Sequence, residues 1–359
     1  MVAFNFRLLT RLSMLPENVL FSTAPADDLK KFSESKSYSK VVALVDDNTK
    51  KACLPLLQGN RFDGLIEVPS GEEHKSLQTC ISIWDQMTAY ELDRHALLVV
   101  VGGGVLGDMG GFCAATYKRG IDFVLIPTTL LAQVDASIGG KLGVDFKTFK
   151  NHIGVFQQPG LTLIHSGFLH TLPEAELRSG FAEILKHCLI SDKAMWKQIT
   201  TTKLAAQPWD ELIRHSVTFK ARITTEDPKE KGIRKILNAG HTIGHAVESY
   251  LLGENRRILH GEAIAIGLVA EGWIARKKDL LTQDELDEIV LAVDKFYVRI
   301  PLSDKDINVA ATLTIQDKKN KGQKILSVLP NGIGKALWDI EIDISDVQAG
   351  LNFYTNVHM

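Results

Sequence analysis

The chain has 359 residues, 45% of them hydrophobic and 23% charged, and its 41 basic and 43 acidic side chains leave a formal net charge of −2 at pH 7. This is the composition of a globular chain long enough for two domains, not of a disordered one. It also excludes a general attraction to nucleic acid or to an anionic membrane, so any anion site must be a local cluster of cations.

At the N-terminus Arg7 and Arg11 interrupt the apolar run, so no secretory hydrophobic segment is expected. No apolar stretch approaches the length of a membrane span. Cys53, Cys80, Cys113 and Cys188 are scattered, with no C-x-x-C pair, and read as buried thiols of a reducing compartment. These features predict a cytoplasmic protein.

Lys40 to Val45 is an apolar strand ending in Asp46-Asp47-Asn48, and Leu65 to Val68 is another, ending in Pro69-Ser70-Gly71-Glu72. Such strands suit a parallel sheet, where ligands gather at the carboxyl ends. Asp46 there either holds a ribose or caps a helix that starts near Thr49. Ser76 to Leu92 has helical spacing of Leu77, Ile81, Trp84, Met87 and Leu92.

Leu97 to Val101 then enters the cluster Gly102 to Gly104 and a small-residue pattern through Gly107, Gly110 and Gly111, which reads as strand, tight turn, helix. Glycine lets the backbone approach a ligand, and a helix N-terminus favours a phosphate, so a nucleotide is placed at this turn. Close packing of helix on strand would demand glycine equally. The usual dinucleotide fingerprint opens a chain's first βαβ unit and carries an acidic residue at the end of the next strand. Here the turn lies about a hundred residues in, and Asp122 starts the next strand, so an ordinary Rossmann strand order is not expected.

Strand and helix alternate to about Ile164, and after Leu172-Pro173 helical patterns dominate: Glu174 to Ile190, Trp209 to Thr224, Ile233 to Leu252, His260 to Lys278 and Gln283 to Phe296. Pro173 and Pro208 stand where first-turn prolines belong, and Pro301 follows the last of these helices. Lys324 to Leu329 and Ala336 to Ile340 flank Pro330-Asn331-Gly332 as a hairpin. The expected fold is α/β, with a Rossmann-like nucleotide-binding domain over residues 1–172 and a mainly α-helical metal- and substrate-binding domain over 173–359.

Glu183, His241 and His260 could supply one carboxylate oxygen and two imidazole nitrogens, leaving a coordination position open as in a catalytic zinc site. His241 and His245 share a helix face, so His245 is either a further ligand or an acid/base or anion-binding group beside the metal. Arg119, Lys141, Lys150-Asn151, Lys186, Lys220 and Arg234 surround these positions in sequence, a concentration of cations that suits a small polyanionic substrate.

The strings GGGVLGD, PTTLLAQVDASIGGK, KNHIGVFQQP, SGFAEILKH, NAGHTIGHAVE and LHGEAIAIG, in that order from Gly102 to Gly267, resemble the 3-dehydroquinate synthase family of sugar phosphate cyclases. The resemblance implies NAD and a divalent metal, usually zinc or cobalt. It implies conversion of 3-deoxy-D-arabino-heptulosonate 7-phosphate to 3-dehydroquinate and phosphate, by transient oxidation, elimination, reduction and intramolecular aldol closure. By motif, its metal ligands fall on Glu183, His241 and His260. Its NAD contacts fall on Asp46, on Ser70, Gly71, Glu72, Glu73, His74 and Lys75, and on Gly104, Val105, Leu106, Gly107 and Asp108. Further contacts fall on Thr128, Thr129, Lys141, Lys150 and the turn of Phe168, Leu169, His170 and Thr171.

By the same resemblance, Lys141, Lys186, Lys220 and Arg234 are substrate cations, with Asn151 and Asn238 as amide partners and Asp135 as a pocket residue. Arg119, Asn151 and His245 would hold the phosphate, Lys220 and Arg234 the carboxylate. Arg119 would reach a neighbouring subunit's site, implying a homodimer. Departures from the pattern are Lys141-Leu142-Gly143, the Phe146 to Phe149 segment, and the lengthened connection Glu254-Asn255-Arg256-Arg257. Asp317-Lys318-Lys319 resembles a segment that contributes a phosphate-binding lysine. Rival readings are a cyclase acting on a sugar phosphate without a carboxylate, a polyol dehydrogenase that releases NADH, and a noncatalytic binding module.

Overall fold

The computed structural model describes residues 15–147, 149–316 and 324–357. The leader reading for residues 1–14 and the candidate lysines Lys318 and Lys319 lie outside the described residues. In chain order the strands are β1 (Val19–Phe21), β2 (Val41–Asp46), β3 (Gly64–Val68), β4 (Leu97–Gly102), β5 (Asp122–Pro127), β6 (Lys141–Phe146), β7 (Phe149–Phe156), β8 (Leu161–Ile164), β9 (Ile325–Pro330) and β10 (Ala336–Ile342). The helices are α1 (Pro25–Ser35), α2 (Asp47–Ala52), α3 (Leu77–Ala89), α4 (Gly104–Thr116), α5 (Glu174–Ser191), α6 (Lys193–Thr201), α7 (Trp209–Glu226), α8 (His241–Gly253), α9 (His260–Lys277), α10 (Gln283–Phe296), α11 (Asp304–Leu313) and α12 (Ile344–Asn356).

Six strands form one parallel sheet in the order β1-β8-β5-β4-β2-β3. Near-continuous apolar runs make such strands, because both faces must be covered. On one face Leu98 and Val100 pack with Ile83, Met87 and Met109 of α3 and α4. On the other, Val99 and Val101 pack with Leu29 and Leu57.

The chain runs outward from β2 to β3 and then returns to place β4 on the other side of β2. That reversal opens a crevice at the carboxyl ends of β2 and β4, where open α/β sheets take their ligands. The glycine turn follows β4, at this crevice, and so outside the chain's first βαβ unit, as expected.

The rest of the chain is mainly helical, giving the α/β class with a helical C-terminal half. Helix α9 is buried on nearly all sides, consistent with its apolar circumference. It lies in contact with α5, α8, α10 and α12.

Several elements depart from the sequence reading. Residues 141–156 leave the strand–helix alternation and pair as the antiparallel hairpin β6–β7, whose Leu142 and Val144 join the core beneath α4. The single helix expected over Ile233 to Leu252 is two pieces, a 3-10 turn Ile233–Asn238 and then α8, broken at Gly240 with φ 77°. Left-handed backbone of that kind falls to glycine. Pro173 and Pro208 sit one position earlier, as N-caps of α5 and α7. Helices α6, α11 and α12 were not anticipated, so Pro301 precedes two further helices.

The lengthened connection after α8 is anchored: Arg256 Nη1 donates to Asp306 Oδ2 at 2.8 Å and Nη2 to the Pro301 carbonyl at 2.9 Å. Asp306 also accepts from the Ser303 N–H in the capping box of α11. Burial opposes ionisation of Asp306, but the Arg256 guanidinium and the Ser303 N–H outweigh it and bring the carboxyl down to about 2. A depressed folded-state value stabilises the fold above the ordinary carboxyl range and ceases to do so as pH falls through about 2. Asp306→Asn should therefore cost about 1–2 kcal/mol near neutral pH, read from the urea midpoint. The difference from the parent chain should shrink as the pH is lowered toward that range.

Candidate active site

Three helices converge on one point. Glu183 lies in the interior of α5, wholly buried, while His241 and His260 are the first residues of α8 and α9. The Gly240 break starts α8 at His241, and the buried Glu271 of α9 fixes it by accepting from the N–H groups of Gly240 (2.5 Å) and Ile243 (3.4 Å). Glu262 does the same for α9 through the Leu259 N–H, at 2.7 Å. A side chain on Gly261 would strike the Ser179 carbonyl, and one on Gly267 the Gly240 carbonyl, so these glycines let the three helices approach.

The Nε2 atoms of His260 and His241 lie 3.3 Å and 3.5 Å from Glu183 Oε1. His241 Nδ1 faces the Ala239 carbonyl at 3.0 Å, so the proton sits on Nδ1 and the Nε2 lone pair faces Glu183. Burial, then the nearby Lys186 ammonium, holds the His241 imidazole well below its usual value, and so neutral. Burial disfavours charge on Glu183, yet the Lys186 ammonium and the His260 ring overcome it and hold the carboxyl well below the usual range. His260 is pushed up to about 9, because Glu183 and Glu248 outweigh its burial.

A buried carboxylate and two imidazole nitrogens are the donor set that a catalytic zinc takes, so these residues fit a divalent metal. His245 stands beside them, its ring 4.8 Å from that of His241 and 5.7 Å from that of His260, on the exposed side. His241, His245 and His260 also lie close enough together to form an alternative triad.

A second knot of charge adjoins the first. Lys186 pairs with Glu183, and Lys220 Nζ is held by Asp135 Oδ1 at 2.6 Å and by the Asp135 carbonyl at 2.7 Å. Burial lowers the proton affinity of Lys220 and Asp135 opposes it. His187, fully buried, faces Asp135 at 3.8 Å and Glu183 at 3.9 Å. Its burial and the Lys186 charge push it down to about 3, so it is neutral. Arg234 is buried next to this knot and donates to the Pro228 carbonyl at 2.8 Å. Lys141 and Asn238 share Glu230, at 2.5 Å and 2.6 Å.

On the crevice side, the position a side chain on Gly107 would fill is open, whereas side chains on Gly110 and Gly111 would strike Val100 and Leu142. The glycine run therefore serves both purposes: Gly107 leaves room at the helix N-terminus, and the later pair packs helix on strand. An open cradle at the N-terminus of a 13-residue helix, in the crevice between β2 and β4, fits a dinucleotide. Lys75 is buried between Asp108 Oδ2 (2.7 Å) and Asn151 Oδ1 (2.6 Å), and Lys150 lies between Glu248 (2.9 Å) and Glu72 (3.6 Å). Asp47 fastens the loop after β3 by accepting from the Ser70 N–H at 2.8 Å.

Several candidate residues are engaged within the chain or lie away from the crevice. Asp46 caps α2, accepting from the N–H groups of Asn48 and Thr49. The side chains of Leu106, Phe168 and Leu169 are committed to the core, which leaves their backbone for a ligand. Glu73 is exposed and pairs with Arg257 at 3.3 Å. Thr128 is buried, and Thr129 caps the turn beginning at Ala132. Arg119 is exposed beyond the far end of α4, about 20 Å from the glycine turn by helical rise, and so is remote from this chain's own crevice.

Three carboxylates escaped the sequence reading: Glu230, Glu248 and Glu271. For Glu248 a signal was present, since 241, 245 and 248 form one stripe of α8.

The comparisons with known proteins agree with this geometry. Residues 65–179 match the family model described as 3-dehydroquinate synthase N-terminal, and residues 180–320 the one described as 3-dehydroquinate synthase C-terminal. The 3-dehydroquinate synthase of Parabacteroides distasonis is 35% identical over 95% of this chain and 98% of its own length. That of Pyrococcus abyssi is 39% identical over 92% of this chain and 96% of its own. Among solved structures, the 2-epi-5-epi-valiolone synthase of Streptomyces hygroscopicus subsp. jinggangensis, with NAD+ and Zn2+ bound, is 27% identical with a TM-score of 0.83, covering 96% of this chain and 98% of that one. The chain belongs to the 3-dehydroquinate synthase family.

Replacing His260 by Ala should weaken zinc at least ~10-fold while the fold is retained, measured by chelator competition and circular dichroism. Glu183→Gln should weaken zinc as well. It should also destabilise the chain by about 3–5 kcal/mol, because the buried Lys186 loses its counter-charge. The double variant with Lys186→Met should recover much of that loss in urea denaturation.

Proposed function

We propose that this site converts 3-deoxy-D-arabino-heptulosonate 7-phosphate to 3-dehydroquinate and phosphate, and that the chain's own groups divide the work as follows. The observation that carries the reading is the convergence of Glu183, His241 and His260 beside the paired cations Lys186 and Lys220 and the guanidinium of Arg234. When bound, a divalent metal at Glu183, His241 and His260 supplies Lewis acidity toward a ring hydroxyl, and NAD in the β2/β4 crevice supplies a reversible hydride acceptor.

Lys220 has three N–H donors, of which Asp135 takes two, leaving one for a substrate carboxylate. Arg234, held by Pro228, offers the planar fork that takes a carboxylate in two bonds. His245, on the open side of the imidazole cluster, and Asn151, fixed by Asp145 and Lys75, take the phosphate. Lys141 and Asn238 present donors at the mouth, ordered by Glu230. Lys186 keeps Glu183 ionised in its buried setting.

Arg119 completes the phosphate site of a second copy, so the working unit is a homodimer, with two domains in each chain divided near Leu172-Pro173. The four cysteines are buried and free, which suits the reducing cytoplasm. Among the described residues no helix is long and apolar enough to cross a membrane.

Purified protein given NAD, zinc and the seven-carbon phosphorylated acid should release phosphate and form a carbocycle with no accumulation of NADH. Accumulating NADH would mark a dehydrogenase. Phosphate release from sedoheptulose 7-phosphate but not from the acid would overturn the carboxylate assignment. Lys220→Met and Arg234→Met should each cost about 2–5 kcal/mol in kcat/KM with the acid, the size expected for losing one partner of a buried, charged contact.

A further inference from the structure

We propose that Glu248 is a positioning residue that couples the metal site to the dinucleotide crevice. One of its carboxylate oxygens holds Lys150 of β7 and the other faces His260, so that filling either site tightens the other. The inference rests on the cofactor reading above.

Glu248 is largely buried on α8, on the stripe that carries His241 and His245. Its Oε1 lies 2.9 Å from Lys150 Nζ, and its Oε2 3.8 Å from His260 Nδ1. Lys150 in turn lies 3.6 Å from Glu72, in the loop that follows β3 at the crevice. The path thus runs from Glu72 through Lys150 and Glu248 to His260, each from a different element, and it is the charges that join them.

A carboxylate behind a ligating imidazole holds the proton on Nδ1, aims the ring and leaves Nε2 to face the metal. Such an outer partner typically changes metal affinity ~10–100-fold when removed. Lys150 is the only one of these groups that belongs to the crevice hairpin and touches Glu248, so a ligand that orders Lys150 also orders the carboxylate behind His260. By linkage the effect is reciprocal.

The test is a set of equilibrium titrations on the full chain. Zinc affinity is measured by competition with a chromophoric chelator, with and without NAD, and NAD affinity by calorimetry, with and without zinc. The parent chain should show each ligand strengthening the other about 5-fold or more. Glu248→Gln should weaken zinc ~10–100-fold in the absence of NAD and bring the coupling factor close to one. Lys150→Met, a change at a part-exposed side chain, should abolish the coupling while zinc affinity without NAD stays within about three-fold, because His260 keeps its carboxylate.

Retention of both zinc affinity and coupling in Glu248→Gln would overturn the proposal, as would coupling that survives Lys150→Met. Independent binding of zinc and NAD to the parent chain would also overturn it. A parent chain that binds neither zinc nor NAD would instead remove the cofactor reading itself, and the proposal with it.

Discussion

An ionised carboxylate with no solvent exposure, Glu183 in the middle of α5, is the constraint on which the helical half depends. Taking such a group out of water costs several kcal/mol unless cations repay it in good geometry. Lys186 supplies one charge from the next turn of the same helix and the His260 ring a second, while the neutral His241 ring turns its Nε2 toward the same group. His241 is then fixed from behind by the Ala239 carbonyl and the Glu271-capped break at Gly240, and His260 faces Glu248 across 3.8 Å. The apolar packing around α9 is the frame that holds these charges together.

The sheet half answers a different constraint. A parallel sheet buried on both faces can offer a ligand only its strand ends, and the reversal between β2 and β4 decides which ends. The hairpin β6–β7 then reaches out of this sheet toward the helices and carries Lys141, Lys150 and Asn151. The halves share an apolar seam, where Leu130, Val134 and Ile138 join the core with Phe181, Leu185 and Val217, and at the site they are joined by Lys220 with Asp135, Lys141 with Glu230 and Lys150 with Glu248.

How much of this was legible in the sequence followed from the range of the interaction involved. Leu97 to Gly111 announced strand, turn and helix because apolar run, glycine and helix start are local signals. Glu183, His241 and His260 could be singled out by ligand type beside small residues. What brings them together, however, is the close approach of Gly261 and Gly267 to neighbouring backbones, which no local pattern encodes. The hairpin was hidden because its alternation over Leu142 and Val144 is short and its partner strand is interrupted by glycine. Nothing local ties Glu248 to its partner Lys150, which lies 98 residues away. The break at Gly240 has a sequence sign, a glycine before His241, but the same sign occurs inside unbroken helices, and only the Glu271 carboxylate decides between them.

The measurement that bears most directly on this account is anomalous diffraction at the zinc edge from crystals grown with zinc and NAD. One strong site is expected, about 2.0–2.2 Å from a Glu183 oxygen and from the Nε2 atoms of His241 and His260, with His245 outside bonding distance. Zinc held instead by His241, His245 and His260, with Glu183 still paired only to Lys186, would contradict it. So would a site between Asp135 and His187.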